Sequence, residues 1–147
     1  MILSIRENNV QVDITILVPA IRTERWVNLY NSIRESTSRS FELIIVGPFP
    51  LPAELQKKVN VKYVKDYGNP VRASQIGSLM AEGKYIFWAS DDGTFQPGAL
   101  DKAIDCLENN ENKSIKDVVI SNYREGGTEQ PEDVLRLTVA YPRTQYI

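Results

Sequence analysis

The sequence contains no histidine and a single cysteine, Cys106, among its 147 residues. The lack of histidine excludes every mechanism that needs a Ser-His or Cys-His pair, and it excludes the usual zinc sites, which draw on Cys and His. One cysteine allows no intrachain disulfide, which agrees with a reducing compartment. Any chemistry must therefore rely on carboxylates, hydroxyls, Arg, Lys or a bound metal ion.

The sequence also lacks a strong excess of charge and any long apolar run. Its 17 basic and 19 acidic side chains give a formal net charge of −2, so we expect no nucleic-acid binding through a broad positive surface. No stretch approaches the ~20 apolar residues of a membrane-spanning helix. The N-terminus has neither the apolar core nor the cleavage site of a signal peptide. We therefore expect a soluble cytoplasmic protein with no transmembrane segment.

What the sequence does contain is an alternation of short apolar runs and amphipathic segments. Apolar runs predict strands at 14–18, 41–46, 85–89 and 117–121, of which the first two suit buried positions, and an alternating pattern predicts a strand near an edge at 61–65. Apolar residues at helical spacing predict four helices, one with Thr23 as its N-cap, a short one at 53–58, one over 71–82 and one opened by Pro97. Strands that alternate with helices are typical of βαβ units. We expect an α/β fold, a three-layer α/β/α sandwich with a mainly parallel central sheet.

An acidic pair follows the most apolar of these strands, in the segment Ser90-Asp91-Asp92-Gly93. Ligands of parallel sheets bind beyond the carboxyl ends of the strands, which selects residues 19–23, 47–49 and 90–94 as the walls of one crevice. Two adjacent carboxylates repel each other unless a positive group joins them, and Mg²⁺ or Mn²⁺ commonly joins carboxylates to substrate phosphates. Asp-Asp-Gly is also a common turn sequence, and a plain turn is the alternative.

The stretch 81–92, AEGKYIFWASDD, is followed by Pro97 and Leu100, and it resembles the family-2-type GT-A glycosyltransferases. The opening ITILVP at 14–19 is similar to the first strand of that family, and 41–46 to its second. The resemblance covers about residues 13–108. It implies a GT-A-like, Rossmann-like fold that transfers a sugar from a nucleotide diphosphate sugar, with a UDP-sugar favoured, to a sugar or glycan acceptor. It also implies Mn²⁺ or Mg²⁺ as cofactor.

The resemblance implies roles for individual positions. Asp92 matches the principal metal-coordinating aspartate of the family, and Asp91 matches its neighbour, which contacts metal or ribose. Arg72 lies where some members place an arginine beside the nucleotide, although a solvated helix residue is the alternative. The predicted nucleotide-sugar site comprises Pro19, Ala20, Ile21, Arg22, Gly47, Arg72, Ser90 and Asp91, and the predicted metal site comprises Asp92 and Asp91.

Several positions of this chain depart from the family pattern, and they bear on which nucleotide is bound. Gly47-Pro48 stands in place of the acidic pair that contacts the base, so that contact lacks its usual acceptor. The other departures are Ile21 for an aromatic that stacks on the base, Ser90 for the first Asp of the motif, and Ser74-Gln75 for Arg-Asn.

The end of the chain gives the weakest pattern. We expect 1–147 to be a single GT-A-like domain with an N-terminal extension at 1–12 and an irregular segment at 126–147. The family normally continues with an acceptor-binding half that supplies the catalytic base. Acidic residues occur here after the fifth predicted strand, but their spacing singles out none of them, so no catalytic residue is assigned: Glu125, Glu129, Glu132 and Asp133.

Two further hypotheses remain beside the glycosyltransferase. The chain could be a catalytically incomplete nucleotide-sugar-binding module that acts with a partner chain, and whether it forms a homo-oligomer is open. It could also be a nucleotidyltransferase, which has a related sheet and an acidic metal site. Those enzymes usually carry a Gly-rich basic loop after the first strand, and residues 19–23 contain no glycine.

Overall fold

The computed structural model describes residues 11–109 and four short strands beyond them. In chain order the elements are β1 Ile14–Pro19, α1 Thr23–Ser36, β2 Phe41–Gly47, α2 Ala53–Gln56, β3 Val61–Lys65, α3 Pro70–Met80, β4 Tyr85–Trp88, α4 Ala99–Glu108, β5 Val119–Ile120, β6 Arg124–Glu125, β7 Thr128–Glu129 and β8 Val139–Pro142.

The central sheet has the strand order β3-β2-β1-β4-β8-β5. Its first four strands are all parallel, with Leu17 of β1 opposite Ile44 of β2 on one side and Trp88 of β4 on the other. The chain moves outward from β1 through β2 to β3 and then returns to the far side of β1 as β4. This reversal creates a switch point between β1 and β4, where α/β sheets form a crevice beyond the carboxyl ends of their strands.

Helices cover both faces of the sheet, which makes the predicted three-layer α/β/α arrangement. Helices α1 and α4 bury apolar residues against one face, where Ile16, Val18 and Ile45 point. Helix α3 packs against the opposite face, where Leu17 and Ile44 point. The alternation of side chains along β1 therefore fills both cores, as expected for a strand buried on both faces. The predicted α/β fold with a mainly parallel sheet is confirmed.

A buried carboxylate joins the amino-terminal ends of the strands, far from the crevice. Glu42 of β2 accepts hydrogen bonds from the hydroxyl of Thr15 and the amide of Glu82, and its Oε2 lies 2.7 Å from the ammonium of Lys62. Burial, the largest influence, would raise the pKa of Glu42. The ammonium of Lys62 and the two other donors outweigh it and hold this pKa below its ordinary value.

Several sequence predictions need correction. Residues 126–147 were expected to be irregular, but they contain β7 and β8, and β8 pairs antiparallel with β4. The strand predicted at 117–121 is described only at Val119–Ile120, and residues 1–10 of the expected extension lie outside the described part. Among the residues that the structure describes, no helix is long and apolar enough to cross a membrane.

Candidate functional site

A cavity of about 380 Å³ opens at the carboxyl ends of β1, β2, β3 and β4. Each parallel strand ends at this edge of the sheet, so the loops that follow them meet there. Four loops supply the walls. The lining residues are Pro19–Arg22 after β1, Val46–Pro48 at the end of β2, Asp66, Gly68 and Asn69 after β3, Pro70 and Ala73 of α3, and Ala89–Asp91 after β4.

A wider groove of about 580 Å³ lies beside this cavity, between the first turn of α1 and the loop before α2. Its wall is built around Phe49 and Leu51, with the carboxylates of Glu24 and Glu54 at its sides. Among the described residues that line this groove, none is basic. The cavity at the strand ends collects the backbone amides, Arg22 and the aspartates, and is therefore the candidate site.

Asp91 is the most heavily bonded side chain in the cavity wall. Its carboxylate is 2% exposed. Oδ2 accepts from the backbone amides of Ile21 and Arg22, both at 2.6 Å, and from the indole of Trp26 at 3.3 Å. Oδ1 accepts from Nη1 of Arg22 at 2.6 Å. Asp91 thereby ties the loop after β4 to the loop after β1.

These contacts also explain how α1 begins. The sequence predicts Thr23 as an N-cap, but the helix starts at Thr23 and the residue before it, Arg22, makes no side-chain cap. Amides at the start of a helix need acceptors from outside it. Here the carboxylate of Asp91 accepts from the amides just before α1, from about 70 positions further along the chain. The prediction that Thr23 caps the helix is therefore wrong, and a distant carboxylate instead holds the two amides that precede the helix.

The electrostatic state of Asp91 follows from the same contacts. Burial, the largest influence, would raise its pKa. The amides of Arg22 and Ile21, the guanidinium of Arg22 and the indole of Trp26 outweigh burial and lower the pKa below its ordinary value. Asp91 is consequently ionised at neutral pH, with its charge compensated inside the protein.

Asp92 differs from its neighbour in almost every respect. Its side chain is 47% exposed, and it is not among the residues that line the cavity. Oδ1 accepts a hydrogen bond from the hydroxyl of Ser90, and Oδ2 lies 3.8 Å from Nη1 of Arg22. Asp92 therefore keeps oxygens that an incoming ion can reach, at the rim beside Ser90.

The pair offers fewer metal ligands than two carboxylates suggest. The side chain of Asp91 is 2% exposed and already accepts from four N–H groups, which leaves little of it accessible to a cation. Within the described residues no group of three or more His, Cys, Asp or Glu side chains could hold a metal ion. Mg²⁺ is often held by only one or two carboxylates together with substrate phosphates. Asp92 fits that limited role, and the fit requires the phosphates to supply the other ligands.

Gly47 shows why this chain has no acidic side chain at the end of β2. A Cβ atom at Gly47 would lie 1.9 Å from the carbonyl oxygen of Ala20, because the backbone after β1 crosses directly over it. A side chain fits there only if the backbone shifts. The departure from the family pattern at this position is thus required by the close approach of the two strand ends.

Asp66 places a carboxylate one strand further along, and the sequence analysis missed it. Its amide donates to the carbonyl of Gly47 at 3.1 Å, so the two residues are neighbours across the strand ends. Its side chain is 9% exposed, with Oδ2 accepting from the amide of Gly68 at 2.9 Å and Oδ1 lying 3.1 Å from Nη2 of Arg72. The available signal was its position: it directly follows a predicted parallel strand, where the strand-end rule selects ligand-binding residues.

The structure brings most of the predicted site residues together. Those that line the cavity are Pro19, Ala20, Ile21, Arg22, Gly47, Ser90 and Asp91. Arg72 does not line it. Its side chain is 66% exposed and reaches the cavity wall through its ion pair with Asp66. The acidic candidates for a catalytic base lie at 125–133, where the structure describes no side chains.

Comparison with solved structures supports the fold. A crystal structure of S. aureus TarS, a glycosyltransferase of the GT-A type, superposes with a TM-score of 0.70 at 17% identity over 89% of this chain. A second structure, of S. aureus TarS 1-349, gives a TM-score of 0.53 at 18% identity over 65% of this chain. The chain spans 28% and 32% of those two chains, about a third of their length. No family model matches the sequence, and no curated protein is similar to it.

Proposed function

We propose that this chain binds a nucleotide diphosphate sugar in the cavity at the strand ends and serves as the donor-binding part of a glycosyltransferase. The observation that carries the proposal is the cavity itself. It lies at the switch point of a GT-A-like sheet, and its walls combine exposed backbone, a buried carboxylate and an arginine. Ligand sites of such sheets lie at this place.

The base occupies the part of the cavity next to β2 and β3 in this proposal. Asp66 supplies the acceptor that the family pattern would place at Gly47, and Arg72 beside it supplies a donor. A carboxylate accepts from an imide N–H, and a guanidinium donates to the neighbouring carbonyl, so the pair matches the edge of uracil. Ile21 is 58% exposed at the mouth of the cavity and gives the base an aliphatic contact where the family has an aromatic ring.

The diphosphate lies toward the end of β4, near Arg22 and Asp92. Asp92 would hold Mn²⁺ or Mg²⁺ there together with the diphosphate. Such an ion, when bound, offsets the charge that develops on the leaving diphosphate as the sugar departs. Asp91 contributes by fixing the loop after β1 against the loop after β4, which shapes the cavity for this ligand.

A calorimetric panel of nucleoside diphosphates, with and without Mn²⁺, tests the proposal. We expect UDP to bind best and Asp66→Asn to weaken UDP binding by roughly ten- to a hundredfold, because a hydrogen bond to a charged group contributes about 1.5–3 kcal/mol. Asp92→Asn should remove the increase in UDP affinity that Mn²⁺ gives. Asp105→Asn makes the same chemical change on α4, away from the cavity. It should leave the UDP affinity and the effect of Mn²⁺ on it unchanged. If no nucleotide binds, or if all three variants behave like the parent protein, the proposal is wrong.

The second candidate function is a donor-binding module that needs a partner chain for transfer. The observation that favours it is that the chain spans about a third of the length of the GT-A structures it resembles. An assay for release of UDP from UDP-sugars distinguishes an active enzyme from a binding module. The purified chain is compared with a buffer blank and with the Asp92→Asn variant. Turnover supports an enzyme, and tight binding without turnover supports the module.

A further inference from the structure

The guanidinium of Arg22 is held against the end of β4 by two aspartates. Its Nη1 lies 2.6 Å from Oδ1 of Asp91 and 3.8 Å from Oδ2 of Asp92. The backbone amide of Arg22 donates to the other oxygen of Asp91, also at 2.6 Å. The same buried carboxylate therefore fixes both the backbone and the side chain of Arg22.

Much of this guanidinium stays available to a ligand. The side chain is 42% exposed, and Arg22 lines the cavity. Within the part of the chain that the structure describes, Nη1 is the one guanidinium nitrogen of Arg22 that makes a hydrogen bond. An arginine carries five N–H donors in a planar fork, so several donors remain for phosphate oxygens.

The negative charge of Asp91 does not cancel the charge of Arg22 completely. Two backbone amides and the indole of Trp26 also donate to Asp91, so its charge is shared among four donors. Asp92, in contrast, is half-exposed and its charge is hydrated. Arg22 thus remains a source of positive potential at the cavity wall, beside the acidic pair.

We propose that Arg22 is a diphosphate-binding residue and that Asp91 is its positioning residue, so that this chain supplies part of the positive charge for the diphosphate without a metal ion. The proposal rests on the proposed function, because it assumes that a nucleotide occupies this cavity. The fork of Arg22 is ordered before the ligand arrives. A group that is already ordered loses less conformational entropy on binding. Asp91 is used for this purpose instead of metal ligation, and Asp92 remains available to an ion.

The test measures how much the two phosphates add to binding in the presence of EDTA. Uridine and UDP are titrated separately, and the ratio of their dissociation constants is the phosphate contribution. We expect a ratio of about ten or more for the parent protein, since hydrogen bonds between a guanidinium and phosphate oxygens are among the strong ones. Arg22→Gln should bring the ratio near one. Arg22→Lys, which keeps the charge and loses the fork, should give an intermediate ratio.

Two further variants distinguish the positioning of Arg22 by Asp91 from the general effect of losing one positive charge. Asp91→Asn frees the guanidinium and should lower the ratio while Arg22 is still present. Arg34→Gln makes the same change as Arg22→Gln in the last turn of α1 and should leave the ratio unchanged. Circular dichroism of each variant establishes that it is folded before titration.

The outcomes distinguish this inference from the proposed function. If EDTA abolishes the phosphate contribution in the parent protein, the charge comes from the metal and the role of Arg22 is wrong. If Arg22→Gln keeps the parental ratio, Arg22 is only a structural ion pair and the inference is wrong, although nucleotide binding stands. If neither uridine nor UDP binds, and no other nucleoside or its diphosphate does with or without Mn²⁺, the proposed function fails and this inference fails with it.

Discussion

Replacing Asp91 with Asn changes one atom of a side chain that is 2% exposed and that accepts from four N–H groups. Replacing Asp92 with Asn makes the same chemical change one residue later, on a side chain that is 47% exposed. Both variants remove one negative charge from the same short loop. Their effects on long-range electrostatics should therefore nearly cancel in a comparison, and the difference isolates the local contacts of Asp91.

The magnitude follows from the contacts. An Asn amide can keep its oxygen toward Ile21, Arg22 and Trp26, but its NH₂ group then faces Nη1 of Arg22, donor against donor. The lost charge-assisted hydrogen bond is worth about 1.5–3 kcal/mol. Removing one partner of a buried ion pair costs about 3–5 kcal/mol in all, and Arg22 recovers part of that by hydration because it is 42% exposed. We expect the free energy of unfolding to fall by about 3 kcal/mol for Asp91→Asn and by less than about 1 kcal/mol for Asp92→Asn.

Urea unfolding at pH 7 in EDTA, followed by tryptophan fluorescence, measures both variants against the parent protein. The same loss should appear in the melting temperature as roughly 6–12 °C for Asp91→Asn, at about 2–4 °C per kcal/mol for a chain of this size. If the two variants lose equal stability, or if Asp92→Asn loses more, Asp91 does not hold the two loops together and the reasoning is refuted.

Three further predictions concern other parts of the molecule. Gly47→Ala should lower the free energy of unfolding by about 1–3 kcal/mol, because its Cβ would overlap the carbonyl of Ala20, whereas Gly93→Ala, with nothing closer than 4.0 Å, should be near neutral in the same urea titration. Ile21→Tyr should tighten UDP roughly fivefold in calorimetry, because ring stacking adds about 1 kcal/mol to the contact with the base, and unchanged or weaker binding would place the base elsewhere. The pKa of Glu42 in the folded protein lies below its ordinary value, so this carboxylate stabilises the fold above the unfolded pKa and loses its contribution as the pH falls through the folded pKa. Stability of the parent protein should therefore fall more steeply than that of Glu42→Gln between pH 5 and about pH 3, and parallel curves would contradict the lowered pKa.

The sheet could be predicted from sequence because its determinants are local. Four apolar residues, one buried threonine and a terminal proline make up β1, and its alternating side chains pack into two cores at once. Strand β8 could not be predicted in the same way. It has no periodic pattern of its own and is defined by pairing with β4, more than 50 residues earlier in the chain. Long-range pairing at the edge of a sheet leaves little trace in a short window of sequence.

The location of the site could be predicted from sequence, but the contacts that its side chains make could not. The strand-end rule selected the correct loops because it depends only on the order of strands and helices. It could not show that Asp91 faces α1 rather than a ligand, since that follows from contacts with Ile21 and Arg22, 70 and 69 residues away in sequence. Asp66 belongs to no motif, and its importance follows from its hydrogen bond to Gly47 across the strand ends.

The acidic pair shows how two neighbouring carboxylates can relieve their repulsion without sharing a cation. One of them, Asp91, is withdrawn into the protein, where amides, an indole and a guanidinium compensate its charge. The other, Asp92, remains in solvent, where water compensates its charge. Under the proposed function, Asp92 is left to a metal ion whose other ligands come from the diphosphate, and Arg22 is held beside the phosphates. In this chain the Asp-Asp sequence at the end of β4 thus provides one exposed carboxylate and one internal acceptor, and that acceptor holds the backbone and the guanidinium of Arg22.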